Sequence, residues 1–307
     1  MPDAGTAGIQ RKPPGLGRRI VSSWVPYSYV APFYVLFLVF MAFPIVFTLY
    51  LSFHSWDGLS SMRFTGLDNL VRIVRDPVFW IALYNTLFIG IVAHIPMLSF
   101  ALIVAFILDS GFIRFRHFFR TIYFLPVVAS SVAISLVFMN VFGFRGGLIN
   151  LVIMAFGGER IHWLGGQGEW VRTVIMTVFI WRWVGWNMVI YLAGLQSIPN
   201  ELYDSARIDG AGWPQVLRHI SLPLIKPVVL FSFVLSVVGT FTLFDEPFVL
   251  AGVEGGPNRM GLTLMVYLYR NAFRFSRFGY ASSIALVIMI LTIVVAIMNI
   301  RFFREKV

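Results

Sequence analysis

The chain has 307 residues, 58% of them hydrophobic and only 12% charged, with a formal net charge of +10 and a mean hydropathy of +0.81. Soluble domains carry about 25% charged residues, so a chain this poor in charge, with apolar runs of twenty or more, reads as one dissolved in a bilayer. The 24 Lys and Arg are dispersed, with no basic stripe interleaved with aromatics, which excludes a nucleic-acid binder, and zero Cys removes disulfides, thiolate metal sites and thiol catalysis.

In chain order, residues 1–27 form a polar tail that includes "GTAGIQRKPPGLGRR". Six apolar segments follow, near 28–53, 81–108, 121–142, 171–196, 223–250 and 280–303. Each is long enough to cross the hydrocarbon, which about 20 helical residues span. The first begins too deep in the chain, with flanks too aromatic, for a cleaved signal peptide. Pro44, Pro96, Pro126 and Pro227 lie inside spans. In lipid such kinks survive because neighbouring helices satisfy the freed backbone groups, so the pattern predicts a packed, all-α polytopic bundle. Trp24, Tyr27, Trp56, Trp80, Trp163 and Trp170 stand near span ends, where aromatic belts form.

Six spans put both termini on one side, and 304–307 is a short tail there. Thirteen Lys and Arg fall on that side against ten on the other, which by the positive-inside rule favours cytoplasmic termini. Segments 54–80, 143–170 and 251–279 are longer, Gly-rich and polar, and lie on the opposite face. No internal repeat is visible, so the chain reads as one membrane domain.

Between the fourth and fifth spans lies "NELYDSARIDGAGWPQVLRHISLP", Asn200–Pro223. Asn200 after Pro199 reads as an N-cap, and Glu201 and Asp204 stand in the first turn, where the helix dipole favours acids. Asp204 and Arg207 are three apart and can pair. Gly210 and Gly212 supply the backbone freedom of an elbow. Beyond it Trp213, Val216, Leu217 and Ile220 make one apolar stripe, and Pro223 restarts the chain as the next span. The segment reads as two short helices that need something to pack on. The first offers Asp204, Ser205, Ala206, Asp209 and Gly210 to a partner. Physics alone leaves this open against a loop that merely joins two spans.

The segment resembles the signature loop of importer-type ABC transporter permeases: Glu-Ala-Ala, three residues, Gly, nine residues, Ile, any residue, Leu-Pro. Here it reads Asp204-Ser205-Ala206, Gly210, Ile220, Leu222 and Pro223, with both spacings intact and with Asp for Glu and Ser for Ala. "FTGLDNLVRIVRDPVFWIALYNTLFIG", "RTIYFLPVVASSVAISLVFMNVF" and "FDEPFVLAGVEGGP" extend the similarity to the carbohydrate-uptake branch, nearest the first permease of maltose, sugar and glycerol-3-phosphate importers. The resemblance implies a type I importer permease fold in a bacterial or archaeal plasma membrane. It implies a second homologous permease, two cytoplasmic ATPase subunits holding ATP and Mg, and an external solute-binding protein. The polar loop would be the coupling helix seated on an ATPase subunit.

The chain itself has no Gly-x-x-x-x-Gly-Lys-Ser/Thr loop and no His-Glu-x-x-His, and its five His form no ligand set, so it carries neither the ATPase chemistry nor a metal. His94, beside Pro96, reads as a hydrogen-bonding partner of a neighbouring span. Ionisable residues at membrane depth usually face a cavity or a partner, which singles out Arg182 between Trp181 and Trp183, and Asp245 with Glu246. In the related maltose permease the fourth and fifth spans contact solute. This carries over to Thr177, Trp181, Phe241, Phe244 and Asp245 as a solute path; interfacial anchors and inter-span hydrogen bonds are the other reading of these residues. A self-sufficient ion-coupled carrier is the alternative to the importer, and it should show buried mid-span carboxylates.

Overall fold

The computed structural model describes residues 24–110 and 113–304. Residues 1–23, with Arg11, Lys12, Arg18 and Arg19, and residues 305–307, with Lys306, lie outside the described residues.

The chain divides into two units, 1–50 and 51–307. The first is a helix of α1 (Trp24–Phe37), a π-turn (Leu38–Ala42) and the bulk of α2 (Phe43–Ser52). It is apolar around its whole circumference, and its side chains from 27 to 50 are almost all exposed. Such a helix suits lipid rather than water.

The second unit opens with a two-stranded antiparallel hairpin, β1 (His54–Ser55) and β2 (Arg63–Phe64), with His54 opposite Phe64. It continues through α3 (Asp68–Arg75), α4 (Pro77–Asp109), α5 (Arg116–Val128), α6 (Ser131–Val141), α7 (Leu148–Ala155) and α8 (Val171–Leu195). After α9 (Asn200–Ile208) come α10 (Trp213–Val216), a π-turn (Leu217–Ser221), α11 (Leu222–Phe241), α12 (Asp245–Ala251), α13 (Leu264–Tyr269) and α14 (Phe278–Arg304). Among the described residues five helices are long and apolar enough to cross a membrane, and the α5–α6 pair would make a sixth if it forms one span.

The main core forms where α4 lies along α8. Ile89, Ala93, Met97, Ala101 and Ala105 recur every four residues on α4 and meet Val174, Ile175, Val178 and Met188 of α8. The alanines let the two backbones approach, as small residues do between helices in lipid. A second cluster gathers Phe79, Phe241, Leu262, Leu264, Tyr267, Tyr280 and Ile284.

The loops are stitched by asparagines. Asn69 Nδ2 donates to the carbonyls of Ser52 and His54 at 3.1 and 3.0 Å. Asn85 Nδ2 donates to those of Arg259 and Leu262 at 2.7 and 2.9 Å, and its Oδ1 accepts from Arg172. Asn150 Nδ2 serves Gly143, Phe144 and Ile161, while its Oδ1 accepts from the Ile161 amide and the Trp163 indole. Each supplies buried carbonyls with the donors that water would otherwise give. Asp76 caps α4 through the Val78 amide and accepts from the phenols of Tyr267 and Tyr280, which ties α4 to α13 and α14. Burial pushes its carboxyl pKa up, but the phenol and amide donors outweigh that and hold it below the usual range.

Three expectations need correction. The expected single span 121–142 is two helices, α5 and α6, meeting at 98°. The expected span 223–250 ends at Phe241, and the chain restarts as α12. Nor does Pro223 restart the chain, because Trp213–Phe241 is one continuous helical run. The reason is the π-turn. The Leu222 N–H reaches back five residues to the Leu217 carbonyl just before Pro223, which has no N–H to give. The same device precedes Pro44, where the Phe43 N–H bonds the Leu38 carbonyl.

Helices α5 and α8 approach closely at Gly185, where an added Cβ would lie 1.8 Å from the Tyr123 carbonyl oxygen. Gly185→Val should destabilise the purified protein by about 1–3 kcal/mol through overpacking, read as a lowered unfolding temperature. Gly239→Ala, where nothing lies within 4 Å of the new Cβ, should leave it unchanged or raised.

Candidate functional site

Two regions carry the residues singled out from the sequence. The first is the α8–α11 connection. Helix α9 ends in a Schellman turn: the Ala211 N–H bonds the Ala206 carbonyl at 2.9 Å and the Gly210 N–H bonds that of Arg207 at 3.1 Å. Gly210 takes φ +75°, the left-handed conformation this turn requires. Gly212 keeps φ −74° and needs no such freedom; its N–H instead donates to Gln215 Oε1 at 2.6 Å, so one glycine makes the elbow, not two. Asn200 is not the cap either. Pro199 holds the N-cap position without a side-chain bond, and Asn200 is the first helical residue.

The elbow is braced from both ends. The Trp213 ring meets Phe106 of α4 edge-on at 4.8 Å, and the Tyr203 hydroxyl lies 3.3 Å from Ser221 Oγ in the π-turn. Burial raises the Tyr203 pKa, so the phenol stays protonated. Val216 and Leu217 pack on the main core. Beneath α9 lies a hollow of about 660 Å³ lined by Asp109, Arg116, Tyr203, Asp204, Arg207 and Trp213. Glu201, Asp204, Ser205, Asp209 and Gly210 are exposed, Ile220 and Leu222 half-buried, and Pro223 exposed. Asp204 and Arg207 pair at 3.0 Å. Ala206 faces inward at 7% exposure, so the expectation that it belongs to an outward surface is corrected. In its place the exposed tip presents Ile208, 87% exposed.

The second region is a cavity of about 330 Å³ between α4, α8, α11 and α12. Phe179, Arg182, Trp183 and Trp186 come from one face of α8, Leu235, Ser236 and Gly239 from α11, and Phe244, Asp245 and Glu246 from the start of α12. Arg182 Nη1 pairs with Glu246 Oε1 at 2.9 Å, with side chains 16% and 4% exposed. Asp245 accepts from the Ser131 hydroxyl at the head of α6. Arg182 Nε is buried without an acceptor among the described residues, and the guanidinium carbon lies 5.3 Å from the Trp183 ring centre. The arrangement combines aromatic faces, a donor and two carboxylates, which suits a ligand rich in hydroxyls.

The five residues expected to line a solute path are not brought together. Phe244 and Asp245 line this cavity. Thr177 and Trp181 open onto a separate, largely apolar hollow with Phe100, Tyr123 and Pro126, and the Thr177 hydroxyl bonds its own helix at the Thr173 carbonyl. Phe241 is buried in the second core cluster. The face of α8 marked by Thr177, Trp181 and Gly185 is the one Gly185 turns toward α5; the cavity takes the face of Phe179, Arg182 and Trp186. His94 bonds the Gly90 carbonyl of its own helix and sets its ring against Phe179 of α8 at 5.6 Å. The described residues hold no cluster of three or more His, Asp or Glu able to bind a metal.

Removing one partner of a buried ion pair leaves a charge uncompensated, at a cost of about 3–5 kcal/mol. Glu246→Gln and Arg182→Met should each lower the unfolding temperature strongly. The double variant should recover most of the loss, so a double-mutant cycle reads the coupling directly. Additive single effects would mean that the pair contributes nothing.

Residues 5–304 match the family described as binding-protein-dependent transport system inner membrane component. The chain is 39% identical over 290 residues to the lactose transport system permease protein LacF of Rhizobium radiobacter, covering 93% of this chain and 95% of the relative. It is 32% identical over 277 residues to the arabinooligosaccharides transport system permease protein AraP of Bacillus subtilis, covering 90% and 87%. Its fold matches, at a TM-score of 0.82 and 22% identity over 95% of this chain and 98% of the other, a chain of a bacterial alginate ABC transporter solved in complex with an alginate pentasaccharide-bound periplasmic protein. With the signature loop folded as a braced helical elbow and the match running almost end to end, the chain belongs to the binding-protein-dependent transport system inner membrane components and has the fold of an ABC importer permease.

Proposed function

We infer that this chain is one of two homologous permease subunits of an ATP-driven importer for a sugar or sugar-like solute of the oligosaccharide, disaccharide or glycerol-3-phosphate class. An extracytoplasmic solute-binding protein delivers the solute. Two cytoplasmic ATPase subunits hold ATP and Mg, and this chain contributes neither catalytic residues nor a cofactor. Both termini face the cytoplasm. Closure of the ATPase dimer pushes α9 and rocks this permease against its partner between inward- and outward-facing states.

The observation that carries this reading is the tip of α9. Glu201, Asp204, Ser205, Asp209 and Gly210 are exposed on a helix whose far side is fixed by Ala206, by the Tyr203–Ser221 contact and by Trp213 on Phe106. A lever must be free at its tip and rigid at its root, and this one is both. The sugar relatives and the aromatic, hydroxyl-compatible cavity support the solute class. A self-sufficient carrier would need a buried carboxylate free to exchange protons. Glu246 is buried, but it is held by Arg182.

Two outcomes test the reading. Gly210→Val puts a β-branched residue into a left-handed backbone, which costs about 1–2 kcal/mol, with nothing within 4 Å for its Cβ to strike. The elbow should shift while the bundle stays intact. Solute-stimulated ATP hydrolysis by the complete complex should fall at least tenfold at normal membrane abundance, and undiminished hydrolysis would refute the coupling role. In this Cys-free chain, Ser61→Cys should react with an impermeant maleimide applied to intact cells and Gln215→Cys only after lysis. Labelling of Gln215→Cys from outside would reverse the topology.

A further inference from the structure

The charges of the α8–α12 cavity bear on which solutes can enter it. Among the described residues Arg182 is the one cation lining it, and it is already claimed by Glu246 at 2.9 Å. Among the described residues Asp245 stands beside them with a single neutral donor, the Ser131 hydroxyl, and no cationic partner. The lining therefore carries one carboxylate more than it has cations. Outside the cavity, Arg270 and Arg274 bond Glu254 at 2.9 and 2.6 Å, and Arg172 in the first turn of α8 bonds Asn85 at 2.7 Å. What the cavity still offers is the partly exposed Asp245 carboxylate, with lone pairs to spare, and the rings of Phe179, Trp183, Trp186 and Phe244.

Each of these suits a neutral polyol and not an anion. Hydroxyls donate to carboxylates, and the CH-rich face of a sugar ring lies against an aromatic plane. A phosphate or uronate would need a free guanidinium or a cluster of amides, and here it would meet an excess carboxylate in a poorly screened site. Resting on the importer reading above, we propose that this cavity is an electrostatic filter that admits uncharged carbohydrates and rejects sugar phosphates and uronic-acid oligosaccharides. Asp245 and the Arg182–Glu246 pair set that selectivity. The solute is then of the neutral kind, and the glycerol-phosphate class is removed from the range.

The test uses protection from thiol labelling on the complete importer in nanodiscs without its binding protein, so that protein's own selectivity does not enter. Thr242 is exposed at the cavity wall and bonds its own helix at the Gly239 carbonyl, so Thr242→Cys in this Cys-free chain reports occupancy with the charges untouched. An uncharged maleimide is the reagent, and lactose, digalacturonate and glycerol 3-phosphate are the probes at equal concentration and ionic strength. Lactose should slow labelling at least threefold, and the two anions should be less than a tenth as effective. In the Asp245→Asn background, which keeps an acceptor for Ser131, digalacturonate should begin to protect. Protection by either anion with Asp245 intact would overturn the proposal. So would anion exclusion unchanged by Asp245→Asn, which would mean that shape does the sorting, and so would the absence of protection by lactose. Uptake of radiolabelled neutral sugars and of glycerol 3-phosphate by cells with the full importer is scored separately. Dependence of sugar uptake on this chain without lactose protection at Thr242→Cys sinks only the filter, whereas no chain-dependent uptake of any of these solutes sinks the importer reading itself.

Discussion

A bilayer supplies no water to a broken helix, so every interruption must find its hydrogen bonds inside the protein. This constraint organises the structure more than hydrophobic burial does, since lipid satisfies apolar side chains as well as a core would. The breaks fall where side chains can serve them. Thr263 donates to the Leu243 carbonyl just beyond the end of α11 at 2.8 Å, and Ser131 and Asp245 close the head of α6 onto the head of α12. Asn69, Asn85 and Asn150 each act as a fixed substitute for two or three water molecules. The two π-turns before Pro44 and Pro223 answer the same constraint within a helix, by moving the missing bond instead of replacing it.

The cavity follows from these breaks. An unbroken fifth span would have carried Phe244, Asp245 and Glu246 around the helix at successive 100° steps. Stopping α11 at Phe241 and restarting at Asp245 turns both carboxylates toward α8 and α6. Two acids at the start of α12 also sit where a helix dipole stabilises negative charge. The ion pair with Arg182 then fixes the short helix against α8, which no apolar contact could do with comparable directionality.

At the α9 elbow the packing holds a polar surface rigidly. Continuity of the helix from Trp213 to Phe241 means that a displacement at the elbow reaches α11 without crossing a loop. The Schellman turn at Gly210 shapes the same elbow, the Trp213–Phe106 contact anchors it to α4, and α4 is the principal neighbour of α8. Movement of α9 therefore bears on helices that wall the cavity.

The apolar runs determined the helices and most of their limits, because the length needed to cross hydrocarbon and the absence of charge are properties of the chain itself. The spacing from Asp204 to Pro223 likewise determined the elbow, since a left-handed glycine and an i, i+3, i+4 stripe are local requirements. Tertiary structure alone decided which face of α8 meets the cavity. Thr177 with Trp181 and Arg182 with Trp186 are equally periodic, and only the packing of Gly185 against the Tyr123 carbonyl turns one of those faces toward α5. It also decided that Phe241 is core while Phe244 lines the cavity, and that the chain breaks at 129–130 and 242–244. A run of apolar residues reads the same straight or bent, and the bend is set by partners such as Asp245 and Ser131, which lie 114 residues apart in sequence.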